Sequence, residues 1–394
     1  MKRLLSIPAS IPAEVWAIMW ICFCVFSAYH APQPLFPAIQ ETFGINPSSV
    51  SLITTCIILP LGLAPIFYGL FLNRLPLVRT LTATLMIYGL ALLPSPLGAN
   101  WHGLLAGRII QGLSMPAVIL CAMTYISTRF EGKALQKYMS YYAVSCMLGS
   151  FFGRILAGWV EQMTGDWRMS FAVMALTILS ALPCTRLLPP VKGTFKRMDF
   201  SALGALFRQK GMLRMLMITP CLALVNTSVL NVLPFRLREI DPTITPLAIG
   251  VVYIGIVCCS FTGIFSSQII RFMRSEMRAV CVSILQYLLF FPLLFVPSST
   301  ALFFVMIVLN FGYAFMYSCI PGIVNRYSLS DRAVTNGVFL TSYYLSGAAG
   351  SYFPTIIYEN FGFSTYWTSM CILGSVALII AFTMRNVSVD QDRV

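Results

Sequence analysis

The sequence predicts an all-α integral membrane protein with twelve transmembrane helices in two pseudo-symmetric six-helix bundles. Three observations carry that expectation: the composition, a series of apolar runs, and the placement of the basic residues. Hydrophobic residues make up 58% of the 394 residues and charged residues only 10%, with a mean hydropathy of +0.81. An ordinary soluble domain carries about 25% charged residues. So few charges could not cover the surface of a soluble chain of this size. The composition therefore excludes an ordinary soluble enzyme, a disordered chain and a coiled coil.

A bilayer core about 30 Å thick needs about 20 apolar residues per helix. Twelve runs meet that need: Val15–Pro37, Val50–Leu70, Leu81–Leu97, Gly103–Ser127, Tyr138–Val160, Trp167–Leu187, Met215–Phe235, Pro246–Ile270, Ala279–Pro297, Ala301–Val324, Val334–Ile357 and Tyr366–Met384. The first follows Lys2 and Arg3 but is too long for the apolar core of a signal peptide, so it reads as an uncleaved helix. The last two are the least cleanly separated.

With a cytoplasmic N-terminus, 21 of the 26 Lys and Arg residues fall on the cytoplasmic side. Three fall outside (Arg168, Arg236, Arg238), and two lie within spans (Arg108, Arg154). That is the bias of the positive-inside rule, and an odd number of spans would scramble it. The net charge of +13 is thus a topology signal and does not point to nucleic acid. Most of the 12 cysteines sit inside apolar runs, with no C-x-x-C spacing and no His cluster nearby. They predict neither a disulfide framework nor a metal site, and no cofactor is expected.

The longest polar stretch, Pro189 to Arg214, separates six runs from six. It divides the chain into a bundle at 1–188, a cytoplasmic linker at 189–213 and a bundle at 214–394. An offset of 197 residues relates Pro37 to Pro234, Gly153 to Gly350 and Gly165 to Gly362, as a duplicated half would.

Several motifs appear in order. After span two comes Gly69-Leu-Phe-Leu-Asn73-Arg74-Leu-Pro76-Leu-Val-Arg79, and span four carries Arg108-Ile-Ile-Gln111-Gly112. Span five carries Gly149-Ser-Phe-Phe-Gly153-Arg154-Ile-Leu-Ala-Gly158. The set resembles the major facilitator superfamily signatures G-x-x-x-D-R-x-G-x-[RK]-[RK], R-x-x-Q-G and G-x-x-x-G-P-x-x-G-G. Gln33-Pro34-Leu35-Phe36-Pro37 and Asp166-Trp167-Arg168 give it the look of the bacterial sugar-efflux and drug-efflux branch. Asn73 stands where that family has Asp, Pro76 where it has Gly, and Arg154 where the antiporter motif has Pro. The resemblance implies a monomeric secondary transporter of the bacterial inner membrane, with both termini cytoplasmic. It implies alternating access, a small-molecule substrate and proton-coupled efflux by antiport. Asn73, Arg74 and Arg79 would serve the inner gate. The last of these motifs supports antiport less, since its Gly-Pro pair is lost.

All thirteen acids lie in loops or near span ends. Arg108 and Arg154 do not, and a charge at bilayer depth costs about 2.5–3.5 kcal/mol on insertion scales. With His30 they lie roughly 8–11 Å below the outer boundary, counting about 1.5 Å per residue. In the family fold their helices are neighbours, so the three would form one cluster. The arginines read as pathway residues favouring an anionic substrate, or as ties between helices. His30, near pKa ~6.5 when unperturbed, is the expected proton carrier, or a neutral packing residue. Gln111 and Gln33 would orient the arginines or bind substrate. Asn226, Asn231 and Asn310 read as helix bridges or ligands. The aromatics read mostly as interfacial belts. Gly149, Gly153, Gly158, Gly347 and Gly350 read as moving packing surfaces.

No P-loop is present, which disfavours ATP-driven transport. Uptake of an organic anion is the alternative direction. A membrane-embedded enzyme or sensor is the other class, but an enzyme would show intramembrane metal ligands or a nucleophile–base pair.

Overall fold

The computed structural model describes residues 11–71, 75–98, 100–191, 210–258, 262–327 and 332–384, and the elements assigned among them are all helices. The proposed linker from 192 to 209 lies outside the described residues, as do Asn73 and Arg74.

Prolines shape the first span. It runs as a helix over Ala13–His30, a single tight turn over Gln33–Leu35 and a second helix over Phe36–Phe43. Pro32 and Pro34 lack the N–H that would continue the helix. Spans two to six follow as Pro47–Phe71, Leu77–Leu90, Trp101–Arg129, Gly132–Thr164 and Trp167–Ala181. Span seven is Lys210–Ile240. Span eight is described over Pro246–Val252, Gly255–Cys258 and Thr262–Met273, and a turn at Tyr253 and Ile254 interrupts the single run expected. Spans nine and ten are Glu276–Phe290 and Ser299–Tyr327.

The last two runs form two helices within Arg332–Thr383 that part at Gly362, whose φ of 77° a residue bearing a Cβ would disfavour. Nine described helices are long and apolar enough to cross a membrane. The shorter Leu77–Leu90 and Pro246–Val257 supply the third and eighth spans. With the longest element divided at Gly362, the twelve expected segments are accounted for.

Polar caps fix where helices begin. The side chains of Asn100, Asp166, Thr245 and Ser275 accept from the backbone N–H groups of Gly103, Arg168, Ala248 and Arg278. Each such cap is worth about 1 kcal/mol.

The offset of 197 reappears as geometry. A methyl group on Gly153 would overlap the backbone of Ser27, and one on Gly350 would overlap that of Leu224, 197 residues further on. Gly165 and Gly362 both take left-handed φ values, 68° and 77°. The two bundles therefore repeat one close helix contact, span five on span one and span eleven on span seven.

Among the described residues, hydrogen bonds between the bundles gather at the end of the molecule opposite Ala13 and Met384. Arg238 donates to Glu41 at 3.2 Å, and Asn46 and the Ser48 N–H donate to Glu359 at 2.6 and 3.2 Å. Deeper, Ser51 meets Thr355 at 3.2 Å, Thr55 meets Ser351 at 2.6 Å, and Thr54 donates to Asn231 at 2.9 Å. This far end is closed.

Candidate substrate and coupling site

The site is built where span one breaks. A helix ending at His30 leaves its last carbonyls without intrahelical partners. Pro32 and Pro34 also withhold the N–H groups that would reach the carbonyls of Ala28 and His30. Arg108 of span four fills this gap. Its Nη1 donates to the Ala28 carbonyl at 3.5 Å and its Nη2 to the Tyr29 carbonyl at 2.8 Å. Its Nε donates to the Ile53 carbonyl of span two at 3.1 Å, and Nη1 also donates to Gln111 Oε1 at 2.7 Å. The guanidinium thus caps the negative end of a helix dipole and ties three spans together. Arg108 is buried, and Gln111 beside it is fully buried, with its Nε2 left without a partner.

Arg154 of span five approaches the same break from the other side. Its Nε donates to Gln33 Oε1 at 2.7 Å, and its Nη1 to the Ser150 carbonyl and hydroxyl at 2.6 and 2.9 Å. Its Nη2 lies 2.9 Å from His30 Nδ1. A guanidinium can only donate, so Nδ1 accepts and the imidazole is the neutral tautomer with its proton on Nε2. Above the guanidinium plane lies the ring of Tyr253 from span eight, 4.5 Å from its centroid.

That ring is itself held. The Tyr253 hydroxyl donates to the Leu230 carbonyl at 2.7 Å, an acceptor freed because Pro234, four residues on, has no N–H. Arg154 shows no solvent exposure. Among the described residues, neither Arg108 nor Arg154 takes part in an ion pair with a carboxylate. Hydrogen bonds to a charged group contribute about 1.5–3 kcal/mol each, enough in sum to hold a guanidinium in the interior.

The five expected residues of spans one, four and five therefore converge: His30, Gln33, Arg108, Gln111 and Arg154. The asparagines do not join them. Asn231 bridges to Thr54 across the closed far end and donates to Thr227 O at 3.1 Å. Asn310 donates back to Met306 O at 2.7 Å in its own helix, and Asn226 is buried on span seven. Arg79 is exposed at the start of span three.

Gly149 and Gly153 let span five press on the backbone of span one at Phe23 and Ser27, and Gly350 does so within the second bundle. Gly158 instead faces Pro246 of span eight, across the boundary between bundles. A methyl group on Gly347 would sit tightly against the Thr227 hydroxyl, at 3.3 Å, and in ordinary contact with Ile58 at 3.7 Å.

One group of aromatics lies away from helix ends. Tyr313, Tyr317, Tyr343 and Tyr344 sit mid-helix on spans ten and eleven, with Tyr313 stacked on Tyr317, Tyr317 tilted against Tyr343 and Tyr343 edge-on to Tyr344. The Tyr313 hydroxyl donates to that of Tyr343 at 3.1 Å. Spans ten and eleven thus bring these two hydroxyls together.

Sequence reasoning missed Tyr253 and Ser150. Tyr253 is one of 17 tyrosines, and nothing around it marks it. Pro234 was the available signal, since it guarantees an unsatisfied carbonyl at Leu230.

The model of the Major Facilitator Superfamily matches residues 18–351. The chain belongs to the major facilitator superfamily. It is 28% identical over 167 residues to the inner membrane transport protein YnfM of Escherichia coli, covering 42% of this chain and 39% of YnfM. It is 23% identical over 374 residues to YybF of Bacillus subtilis, described as an uncharacterized MFS-type transporter, covering 91% and 87%. Among solved structures, a bacterial homologue of the human lysosomal transporter Spinster, inward-facing and occupied, superposes with a TM-score of 0.79. That match has 12% identity over 96% of this chain and 97% of the other. The nucleoside transporter NupG follows at 0.75, with 16% identity over 94% and 98%. The chain is a multi-pass secondary transporter, and not an enzyme, of this fold.

Proposed function

We propose that this chain moves a small organic anion across the bacterial inner membrane by alternating access, with a proton carried on His30. The observation that carries this reading is the Arg154–His30 contact: an interior guanidinium whose hydrogen-bond partners are all neutral. An anionic group that approaches Arg154 replaces weak neutral acceptors with a charge-assisted pair. It also frees Nδ1 of His30 to take a proton, and it offsets the second positive charge.

Two like charges about 4 Å apart repel by about 4 kcal/mol at an effective dielectric of 20, so the proton is tolerated best when the anion is present. Proton and cargo therefore bind together, and an inward proton gradient drives uptake. Efflux by proton antiport, the direction the resemblance implies, needs the two to exclude each other. It remains the second reading because the inner membrane relative gives no direction. The human organic anion transporter MFSD10 shares the fold at a TM-score of 0.68 with 16% identity, a likeness that bears on fold alone.

The test is a thermal-shift screen of purified protein against aryl sulfonates, dicarboxylates, cationic drugs and sugars. Stabilisation by anions in the parent, lost in Arg154→Gln, is expected. Stabilisation by cations or sugars alone removes the anion assignment.

A further inference from the structure

We propose that Tyr253 is the positioning residue of Arg154, joining exposure of the guanidinium to the parting of spans five and eight. Span five belongs to one bundle and span eight to the other, and their backbones nearly touch on both sides of the stack. A methyl group on Gly250 would lie 2.8 Å from the Arg154 carbonyl oxygen, and Gly158 is equally tight against Pro246. Between them the Tyr253 ring covers the Arg154 guanidinium at 4.5 Å. The ring cannot travel with span five, because its hydroxyl is bonded to Leu230 O of span seven at 2.7 Å. When the bundles separate here, Tyr253 stays with its own bundle and Arg154 is uncovered.

The backbone under Tyr253 is built differently from an ordinary helix. Tyr253, Ile254, Ile256 and Val257 donate to carbonyls three residues back, at 3.3, 3.0, 3.0 and 2.9 Å. A tightened stretch of this kind inside a helix often marks a hinge or a strained segment. Gly255 presses on span ten at Met306 O, 2.7 Å from where a methyl would sit, and so anchors the far side of the hinge.

The related seam shows what is special here. At the offset of 197, Arg154 corresponds to Ser351, which meets Thr55 of span two through a hydroxyl pair at 2.6 Å. Ser51 and Thr355 add a second pair at 3.2 Å. At this depth one seam is closed by small neutral hydroxyls and the other by an aromatic ring on a cation. The carboxylate of the first seam, Glu359, sits at its partly exposed rim, so the second is the seam that uncovers a buried charge when it opens.

The inference rests on the alternating-access reading. It is tested without cargo, so its failure and that of the anion assignment are separate results. Ketone-bearing residues placed at Met163 and Pro242, exposed on either side of the span five–eight seam, would carry spin labels and leave the native cysteines in place. In lipid nanodiscs the parent is expected to show mainly the short distance. Tyr253→Leu is expected to raise the ratio of long to short distances by about threefold or more, the lower end of what a cation–π contact contributes. Tyr253→Phe keeps the ring and is expected to keep most of the parental ratio.

Arg154→Gln leaves the ring but removes the cation, and is expected to give the same shift as Tyr253→Leu. Combining the two should add nothing further. An unchanged distribution in Arg154→Gln overturns the proposal even if Tyr253→Leu fails to fold. So does a Tyr253→Leu shift that persists in full on the Arg154→Gln background.

Discussion

Two arginines of similar depth have different work. Arg108 spends three of its four hydrogen bonds on backbone carbonyls of spans one and two. Arg154 bonds mainly to side chains that can turn away. Replacing Arg108 with Lys removes a planar fork that a point charge cannot imitate. Arg108→Lys should therefore abolish transport in proteoliposomes and also lower the melting temperature. Normal transport by that variant would reject its role. His30→Gln retains an acceptor for Arg154 but cannot bind a proton. It should leave anion binding intact in the thermal-shift assay while breaking the link between cargo flux and proton flux.

The common depth of these side chains was legible in the sequence because charges are rare at bilayer depth and helix positions are countable, while the expectation that they meet came from the family resemblance. Their partners were not legible, because backbone carbonyls carry no sequence signature. The exceptions are the positions four residues before Pro32, Pro34 and Pro234.

At the level of helices, packing rests on a few glycines. Gly153→Ala places a methyl into the Ser27 backbone, and no rotamer change relieves an overlap with main chain. Forced overpacking costs about 1–3 kcal/mol, and here it also pushes span five away from His30 and Gln33. A lower melting temperature and lost transport are expected, whereas Gly322→Ala, with open space around it, should change neither.

The apolar runs predicted every span, since a bilayer demands length and hydrophobicity from each. They did not predict the interruption of span eight, because Gly255 and the tight turn there answer to span ten and to Tyr253, not to lipid. Asn231 read as a bridge or a ligand with no partner in view. The bridge to Thr54 became visible only when the second bundle was in place.

The molecule as a whole is closed at its far end, and the closure is chemically specific. Glu359 sits at the start of span two, accepting from Asn46 and from the Ser48 N–H, where a carboxylate also meets the positive end of the helix dipole. Glu359→Gln keeps the shape and loses the charge. Between labels on the two bundles it should raise the open population about two- to fivefold, the scale of a charge–dipole contact. An unchanged distribution would show that the other contacts between the bundles hold the end shut without the Glu359 charge.

The repeat at 197 residues was visible as three matched residues, and it is now visible as matched contacts. What the sequence withheld was the asymmetry between the seams, since it depends on which bundle supplies a cation and which supplies a ring.

The central claim is that proton and anion share the Arg154–His30 pair. The most direct measurement is the lumenal pH of proteoliposomes when an aryl sulfonate, which cannot carry a proton itself, is added outside. The account predicts acidification with the parent protein, none with His30→Gln, and none in protein-free liposomes. Alkalinisation with the parent would establish exchange, and sulfonate uptake with no pH change would show that no proton moves with the cargo; either result contradicts the account.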